Sequence, residues 1–365
     1  MMLQRSPSTR AQHVLTYAQT MRGGGVERAM LRMAKGWLRE GRRVTLVLGS
    51  DEGPLAAEIP DGIELVLLGD PRHKALFALP RIVRALAPDL IFCPGNHYSG
   101  VAALTRLRLG RACPPIVAKV SNALVRPEMR RGAMWRYRRW LRLHPLFLDQ
   151  LVAMTPAMAA EAVAEMRMPA ERVHVIANPP AEPIADAAPV PLPAGRYIAG
   201  VGRLEPQKRW DRLIAALPQL SDPDIALLIV GEGTARGALE AQIAALGLSA
   251  RVTLTGHAAD PLPALAGATV AALTSDFEGV PGVLREALSV GTPVVSTESS
   301  VAVREIVTGP QLGTVVGRDD ADALVAALDY WLAPGRGRPV PVIASGDPIA
   351  AYLALFDSTV AQRNR

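Results

Sequence analysis

Short aliphatic and β-branched runs alternate along this chain with longer stretches whose apolar residues recur every three or four positions. The runs fall at residues 14–17, 43–48, 63–67, 89–92, 116–120, 150–153 and 173–176. After a gap they resume at 197–201, 226–230, 252–254, 269–273, 293–296 and 314–316. A short run that is apolar throughout marks a strand buried on both faces. Between the first two runs, residues 26–40 place Val26, Met30, Met33, Trp37 and Leu38 on one side of a helix. Strands that alternate with helices predict parallel sheets. So many strands exceed one compact sheet, and two doubly wound α/β domains are expected.

The gap itself is legible. Residues 178–195 read NPPAEPIADAAPVPLPAG, rich in proline and alanine and without a period. A linker over 181–195 is therefore expected between a domain of residues 1–180 and one of 196–347. A second proline- and glycine-rich break at 334–348 precedes a final helical run at 349–360.

Composition narrows the function classes. Nearly half of the 365 residues are apolar, enough for two cores. No apolar run reaches membrane-spanning length, and no secretory leader is visible. The only cysteines, Cys93 and Cys113, make neither a metal motif nor a disulfide framework, so a reducing cytosol and two ordinary thiols are expected. The net charge is +6, and segment 126–144 alone carries seven arginines against the single acid Glu128. It interleaves Trp135, Tyr137 and Trp140 with Arg126, Arg130, Arg131, Arg136, Arg138, Arg139 and Arg142. Basic plus aromatic character fits an anionic membrane surface. A solvated helix and a nucleic-acid contact are the competing readings; the membrane is the expected partner. Arg130, Arg131, Trp135, Arg138 and Arg139 are its candidate residues.

The richest chemistry lies in Ser275-Asp-Phe-Glu-Gly-Val-Pro-Gly-Val-Leu-Arg-Glu286. Glu278 falls in a glycine- and proline-rich loop, and Glu286 falls in the helix that the loop opens. Pro281 suits a first helical position. The amides of Gly282, Val283 and Leu284 would then be free to hold an anion. An anion site flanked by two carboxylates suits a nucleotide sugar. Upstream, Gly202 ends a strand, and Arg203 and Lys208 flank the loop after it. Two cations there could grip a diphosphate without a metal; a solvated basic loop is the plain alternative. Gly231-Glu-Gly233 has the wrong spacing for a dinucleotide fingerprint. Gly256-His257 could approach a base or be a simple turn. Asp222-Pro-Asp224 imitates a metal-binding pair but reads better as a turn, and no metal site is expected. Near the start, Gly23-Gly24-Gly25 opens the first helix. Glu27 in its first turn complements the helix dipole. Asn96, His97, Ser121 and Asn122 follow strand ends, where ligands of such sheets bind; a lone histidine there is more often structural than functional.

Together, Gly24-Gly25-x-Glu27, Gly202-Arg203-Leu204 with Lys208, Gly231-Glu232-Gly233, Glu278-x7-Glu286 and Gly291-Thr-Pro293-Val-Val resemble the retaining glycosyltransferases of family 4, which have the GT-B fold. The resemblance implies two Rossmann-like domains facing a cleft, with residues 348–365 crossing back to the first. It implies a diphosphate bound by Arg203 and Lys208, ribose by Glu286, and the donor sugar against Glu278. Amides of Gly279, Val280, Pro281-Gly282 and Val283 would face phosphate and sugar. Gly256 and His257 would face the base, and Gly25 the donor from the first domain. Gly24, His97 and Asn122 are acceptor-side candidates. No cofactor is implied. The implied donor is a UDP-linked hexose or N-acetylhexosamine. The implied acceptor is a polyprenyl-diphosphate-linked or other glycan at the inner leaflet. A GT-B epimerase or phosphorylase, or a non-catalytic nucleotide-sugar binder, shares most of these features. The sequence departs from the family at Ser121-Asn122, where many members carry a histidine. It departs again at 299–305, where Glu305 is kept without the usual glycines.

Overall fold

The computed structural model of the chain describes residues 10–22, 24–125, 129–184, 187–343 and 346–363. Gly23, the segment 126–128 with Arg126 and Glu128, and positions 185–186 of the expected linker lie outside them. Contacts divide the chain into two units, Met1–Pro179 with Gly346–Arg365, and Pro180–Ser345.

In the first unit the strands are β1 (His13–Ala18), β2 (Arg43–Leu48), β3 (Glu64–Leu67), β4 (Leu90–Cys93), β5 (Ile116–Lys119), β6 (Gln150–Ala153) and β7 (Val173–Val175). They pair in parallel in the order β3-β2-β1-β4-β5-β6-β7. The second unit holds β8 (Tyr197–Val201), β9 (Ala226–Val230), β10 (Val252–Gly256), β11 (Val270–Leu273), β12 (Val294–Thr297) and β13 (Gly313–Val316). These are parallel in the order β10-β9-β8-β11-β12-β13. Each apolar run of the sequence is a strand. β10 runs further than the pattern predicted, because the chain bulges after Leu254 and Gly256 bridges back to Gly231.

The central strands of the second sheet are apolar because each feeds two cores. Ile198, Leu227 and Ile229 join Trp210, Leu213 and Leu328 on one side of the second sheet. Their neighbours Tyr197, Ala199, Leu228 and Val230 join Leu265, Leu284 and Val303 on the other. Within the expected linker, the Ile184 amide donates to Asp260 at 3.3 Å, which ties that stretch to the second unit.

The last helix, Pro348–Arg363, belongs to the first unit. Trp37, on the first helix Gly25–Arg39, is fully buried against Phe92 (5.2 Å between ring centroids), Phe356 (5.1 Å) and Tyr352 (6.1 Å). Arg42 adds a two-pronged bond to Asp357, at 3.0 and 2.8 Å.

Winding direction locates the crevices. In each sheet the chain winds outward, returns past its starting strand and winds outward the other way. The reversal falls between β1 and β4 in the first unit and between β8 and β11 in the second. Loops leaving the carboxyl ends of such neighbours part to opposite faces and leave room for a ligand.

Candidate functional site

Two loops meet at the reversal of the second unit. The loop after β8 carries Arg203 and Lys208, and the loop after β11 carries Glu278. Trp210 anchors the first by donating from its indole to the Arg203 carbonyl at 3.0 Å. The chain makes a short turn, Pro206–Lys208, and enters helix Trp210–Ala216 through Arg209 at φ 50, ψ 41. That left-handed geometry is costly for a side-chain-bearing residue. Ion pairs to Asp211 (3.0 Å) and Asp276 (3.4 Å) hold Arg209 in it.

The two loops are stitched together. The Asp276 amide donates to the Gln207 carbonyl at 2.9 Å, and the Gln207 side chain donates to the Phe277 carbonyl at 2.6 Å. Thr274 donates to the Lys208 or Arg209 carbonyl, and Arg212 pairs with Asp276 at 2.7 Å. At the centre the Lys208 ammonium donates to Glu278 Oε1 at 2.6 Å. Ser275 Oγ donates to the same oxygen at 2.6 Å. Both ionic side chains are mostly buried, 14% and 11% exposed, so this pair is little screened by water. Arg203, by contrast, is exposed and has no side-chain partner among the described residues.

The helix after Glu278 begins one residue later than expected. Gly282–Ser289 is helical, and Pro281 stands at the cap position with extended ψ of 100. The Leu284 amide closes onto the Pro281 carbonyl at 3.2 Å, which takes it out of the expected anion-binding set. The amides of Gly282 and Val283 remain at the open end of the helix. Val280 and Val283 turn their side chains onto the core, and Gly279 is buried. Glu286 is half-buried within the same helix. Arg285 beside it has its affinity for a proton lowered by burial, with Glu305 opposing.

The motif Gly231-Glu-Gly233 has a packing explanation. A Cβ on Gly231, at φ 158, would lie 2.0 Å from the Gly202 carbonyl oxygen. Only glycine lets this turn pass under the Arg203 loop. Gly256 ends β10, and His257 after it is exposed. Asp222 accepts the Asp224 amide at 2.9 Å and pairs with Arg196, the turn role expected of it.

The first unit has its own crevice at the reversal of β1 and β4. Helix Gly25–Arg39 starts there, with open space around Gly25. Glu27 accepts a hydrogen bond from the Tyr98 hydroxyl at 3.0 Å. Its other oxygen folds back toward Gly24, where a Cβ would lie 2.6 Å from it. Burial, and then Glu27, push the Tyr98 phenol well above its ordinary pKa, so it serves as donor. Lys119 ends β5 with only 2% of its surface exposed and donates to Asn178 at 3.1 Å. Burial lowers its ammonium to about 8, and the Glu27 charge opposes that shift. Asn96 knits the neighbouring loop. It accepts from the Ser121 amide at 2.7 Å and donates to the Asn122 carbonyl at 3.0 Å. The Asn122 side chain is spent on the Ala123 amide at 2.9 Å. His97 is exposed on the turn Asn96–Tyr98, its ring against that of Tyr98.

The basic segment forms helix Arg131–Leu141. Trp135 is 61% exposed, with the Arg139 guanidinium 5.3 Å from its ring centroid. Arg130 and Arg131 are exposed beside them, whereas Arg138 turns away to pair with Glu165 at 2.9 Å. Trp140 packs inward on His144 and Phe147.

Sequence reasoning missed Tyr98, Lys119 and Asp276, and it read Glu27 only as a helix-dipole complement. One signal was present: a lysine inside the otherwise apolar run Ile116-Val-Ala-Lys-Val120. Lysine is almost never fully buried without a reason.

Residues 23–179 match the profile of Glycosyltransferase Family 4, and residues 190–338 that of Glycosyl transferases group 1. Among curated proteins, the chain is 33% identical over 143 residues to a Campylobacter jejuni enzyme, 39% of each chain. That relative is named N-acetylgalactosamine-N,N'-diacetylbacillosaminyl-diphospho-undecaprenol 4-alpha-N-acetylgalactosaminyltransferase. The chain is also 39% identical over 147 residues to the GDP-mannose-dependent alpha-(1-6)-phosphatidylinositol monomannoside mannosyltransferase of Mycolicibacterium smegmatis, 37% of this chain and 38% of the relative. The matched stretches thus span under two fifths of each of these relatives. The fold is similar to that of Anabaena HepE, solved with UDP and glucose. The TM-score is 0.69 at 19% identity, over 97% of this chain and 94% of the other. With one profile on each unit, in order and nearly end to end, the chain belongs to the family 4, group 1 glycosyltransferases.

Proposed function

We propose that the protein transfers a sugar from a nucleotide-sugar donor to a hydroxyl of a lipid-linked or polysaccharide-precursor acceptor, with retention at the anomeric carbon. The observation that carries this is the reversal of the second unit, where Arg203, without a side-chain partner among the described residues, shares a loop with Lys208 of the buried Lys208–Glu278 pair. Breaking the sugar–phosphate bond leaves negative charge on the diphosphate. Arg203, Lys208 and the amides of Gly282 and Val283 supply preorganised positive charge for it, a role that needs no metal. Lys208 would bridge the diphosphate and Glu278, and Glu278 would face the sugar, where positive charge develops. The acceptor oxygen bonds to the anomeric carbon as the phosphate leaves from the same face, and the hydroxyl proton passes to the departing phosphate oxygen. Glu286 is assigned to the ribose.

A UDP-linked hexose or N-acetylhexosamine is the proposed donor. A UDP complex in a protein of similar fold and an N-acetylgalactosaminyl transferase among the relatives support it, and the GDP-mannose enzyme makes GDP the base to test against it. Lipid-linked acceptors in the names of both relatives support a polyprenyl-diphosphate acceptor. The exposed Trp135, Arg139, Arg130 and Arg131 then suit docking to an anionic inner leaflet. No helix of the described residues is long and apolar enough to cross a membrane.

Melting the protein with UDP-, GDP- and ADP-sugars tests the donor. Stabilisation by UDP-sugars is expected, and no shift with any of them would sink the reading. Arg203→Ala should weaken donor binding by about tenfold or more, as loss of a charge-assisted bond does; unchanged affinity removes the diphosphate assignment. Proton NMR of the glycoside product reports retention, and activity that survives a chelator reports metal independence.

A further inference from the structure

The second unit has a cavity of about 490 Å³ at the edge of its sheet where β8, β11 and β12 begin. Arg196, Thr269 and Pro293, the residues just before those strands, line it. The loops that carry Arg203 and Glu278 leave the opposite, carboxyl edge of the same parallel sheet, so this cavity is not the donor crevice. Segment 333–338, which follows helix Ala321–Leu332, supplies a further wall. Among the described residues, three arginines line the cavity, Arg196, Arg336 and Arg338, and no acid does.

Helix ends account for two of these cations. Arg338 donates to the carbonyl of Ala268 at 3.0 Å, just past helix Leu262–Gly267. It also donates to Gly291 at 3.1 Å and Val290 at 3.3 Å, just past helix Gly282–Ser289. Arg196 donates to the Leu332 carbonyl and pairs with Asp222. The partial negative charge of helix carboxyl ends favours both. Arg336 has no such partner. Its guanidinium lies 3.5 Å from the centroid of the Tyr330 ring and donates to the Tyr330 hydroxyl at 2.8 Å. No carboxylate pairs with it among the described residues. A neutral ring thus fixes a third guanidinium beside a cavity that already has two, an arrangement that repulsion of like charges opposes. The backbone adds donors. The amides of Gly335, Gly337 and Arg338 have no hydrogen-bond partner among the described residues. Turns with a left-handed residue gather successive amides into anion-binding concavities, and Gly335 has φ 79.

Size and charge together define the ligand. The volume falls within the range of small-molecule sites, about 300–1,000 Å³, and has room for more than one inorganic ion. Guanidinium forks match the oxygens of a phosphate, while Pro293, Trp331 and Pro334 supply apolar wall for a carbon skeleton. We propose that this cavity is an anion site separate from the donor crevice, and that it binds a small phosphate-bearing molecule of the sugar-phosphate class through Arg336 with Arg196 and Arg338. The site stands whether or not the protein transfers sugars.

Calorimetry on the full chain tests it, with hexose 6-phosphates, inorganic diphosphate and free hexoses as probes. The phosphates should bind and the free hexoses should not. Arg336→Gln should weaken phosphate binding by about tenfold or more, the size of one charge-assisted hydrogen bond. Gly337→Asp brings a carboxylate to the cavity wall at a position where a Cβ meets nothing within 4 Å, so it should abolish binding and leave the fold intact. Both variants should keep the parent's melting temperature and its response to UDP-sugars. Arg203→Ala, in the donor crevice, should keep the phosphate binding that the cavity variants lose. Phosphates that bind the parent no better than free hexoses overturn the site. Phosphate affinity within about twofold of the parent in Arg336→Gln and Gly337→Asp overturns it as well, and loss in Arg203→Ala alone places the probe in the donor crevice. Sedimentation with phosphatidylglycerol vesicles separates the two sources of phosphate. Arg336-dependent binding to vesicles, with none to the soluble phosphates, would overturn the small molecule in favour of a lipid headgroup.

Discussion

Lys208 and Glu278 are 70 positions apart and share a bond of 2.6 Å. Removing one partner leaves the other charge largely buried, so Glu278→Ala should destabilise the second unit by roughly 3 kcal/mol in a urea melt. It should also free Lys208 for phosphate. Calorimetry is therefore expected to show UDP binding held or tightened while sugar transfer collapses. A fall in UDP affinity would mean that the carboxylate itself orders the diphosphate pocket. The pairing was not legible in the sequence, although both residues were. Spacing identifies residues that one segment places together, and here two segments had to be brought side by side by β8 and β11. Gly231 failed for a related reason. Its spacing imitated a nucleotide fingerprint, and the constraint on it came from the Gly202 carbonyl 29 positions away. Glu27 looked like a helix-dipole residue because its partner Tyr98 is 71 positions on.

At the scale of the element, helix Arg131–Leu141 joins two pieces of chemistry. Its outer side carries Trp135 and Arg139, and its end is pinned by His144. His144 is 3% exposed, its Nδ1 bonded to the Leu141 carbonyl at 3.0 Å. Burial lowers the imidazole to about 4, with the Trp140 and Leu141 carbonyls opposing. A histidine depressed below its unfolded value of about 6.5 stabilises the fold fully above that value. The contribution fades as pH falls from there through 4 and reaches on the order of 3 kcal/mol. The melting temperature should drop over that window, and His144→Asn should flatten this part of the pH profile while lowering stability at neutral pH. The same slope in the variant would assign the loss to carboxylates. On the outer side, neutralising Arg130, Arg131 and Arg139 should release the protein from phosphatidylglycerol vesicles in a sedimentation assay. Neutralising Arg138, which Glu165 already engages, should matter less. Equal binding by the triple variant and the parent would remove the helix as a docking surface. The sequence made the helix and its charge visible; it could not show which arginines were already paired.

The whole molecule is two doubly wound units, and this was the most legible scale of all. Most of these parallel strands are buried on both faces, so each of those announces itself as an apolar run without help from its neighbours. The return of helix Pro348–Arg363 to the first unit was less legible, because its partners lie more than two hundred positions upstream, as Phe92 does from Phe356 and Arg42 from Asp357. Phe356 is fully buried against Trp37 and Phe92. Phe356→Ala should cost about 3–5 kcal/mol. The loss should fall on the first unit alone, so that calorimetry shows one transition moved down and a second, UDP-responsive transition unmoved. A single transition that shifts as a whole would mean that the units unfold together.

That returning helix also sets an order of events during synthesis. The ribosome makes the residues up to Pro179, then the whole of the second unit, and only then Phe356 and Asp357. At about 5–20 residues per second the wait is on the order of ten to thirty seconds. Throughout it, Trp37 and Phe92 lack the ring that covers them and Arg42 lacks its carboxylate. The nascent first unit is thus an aromatic surface in search of a partner, while the later-made unit needs no segment from elsewhere in the chain.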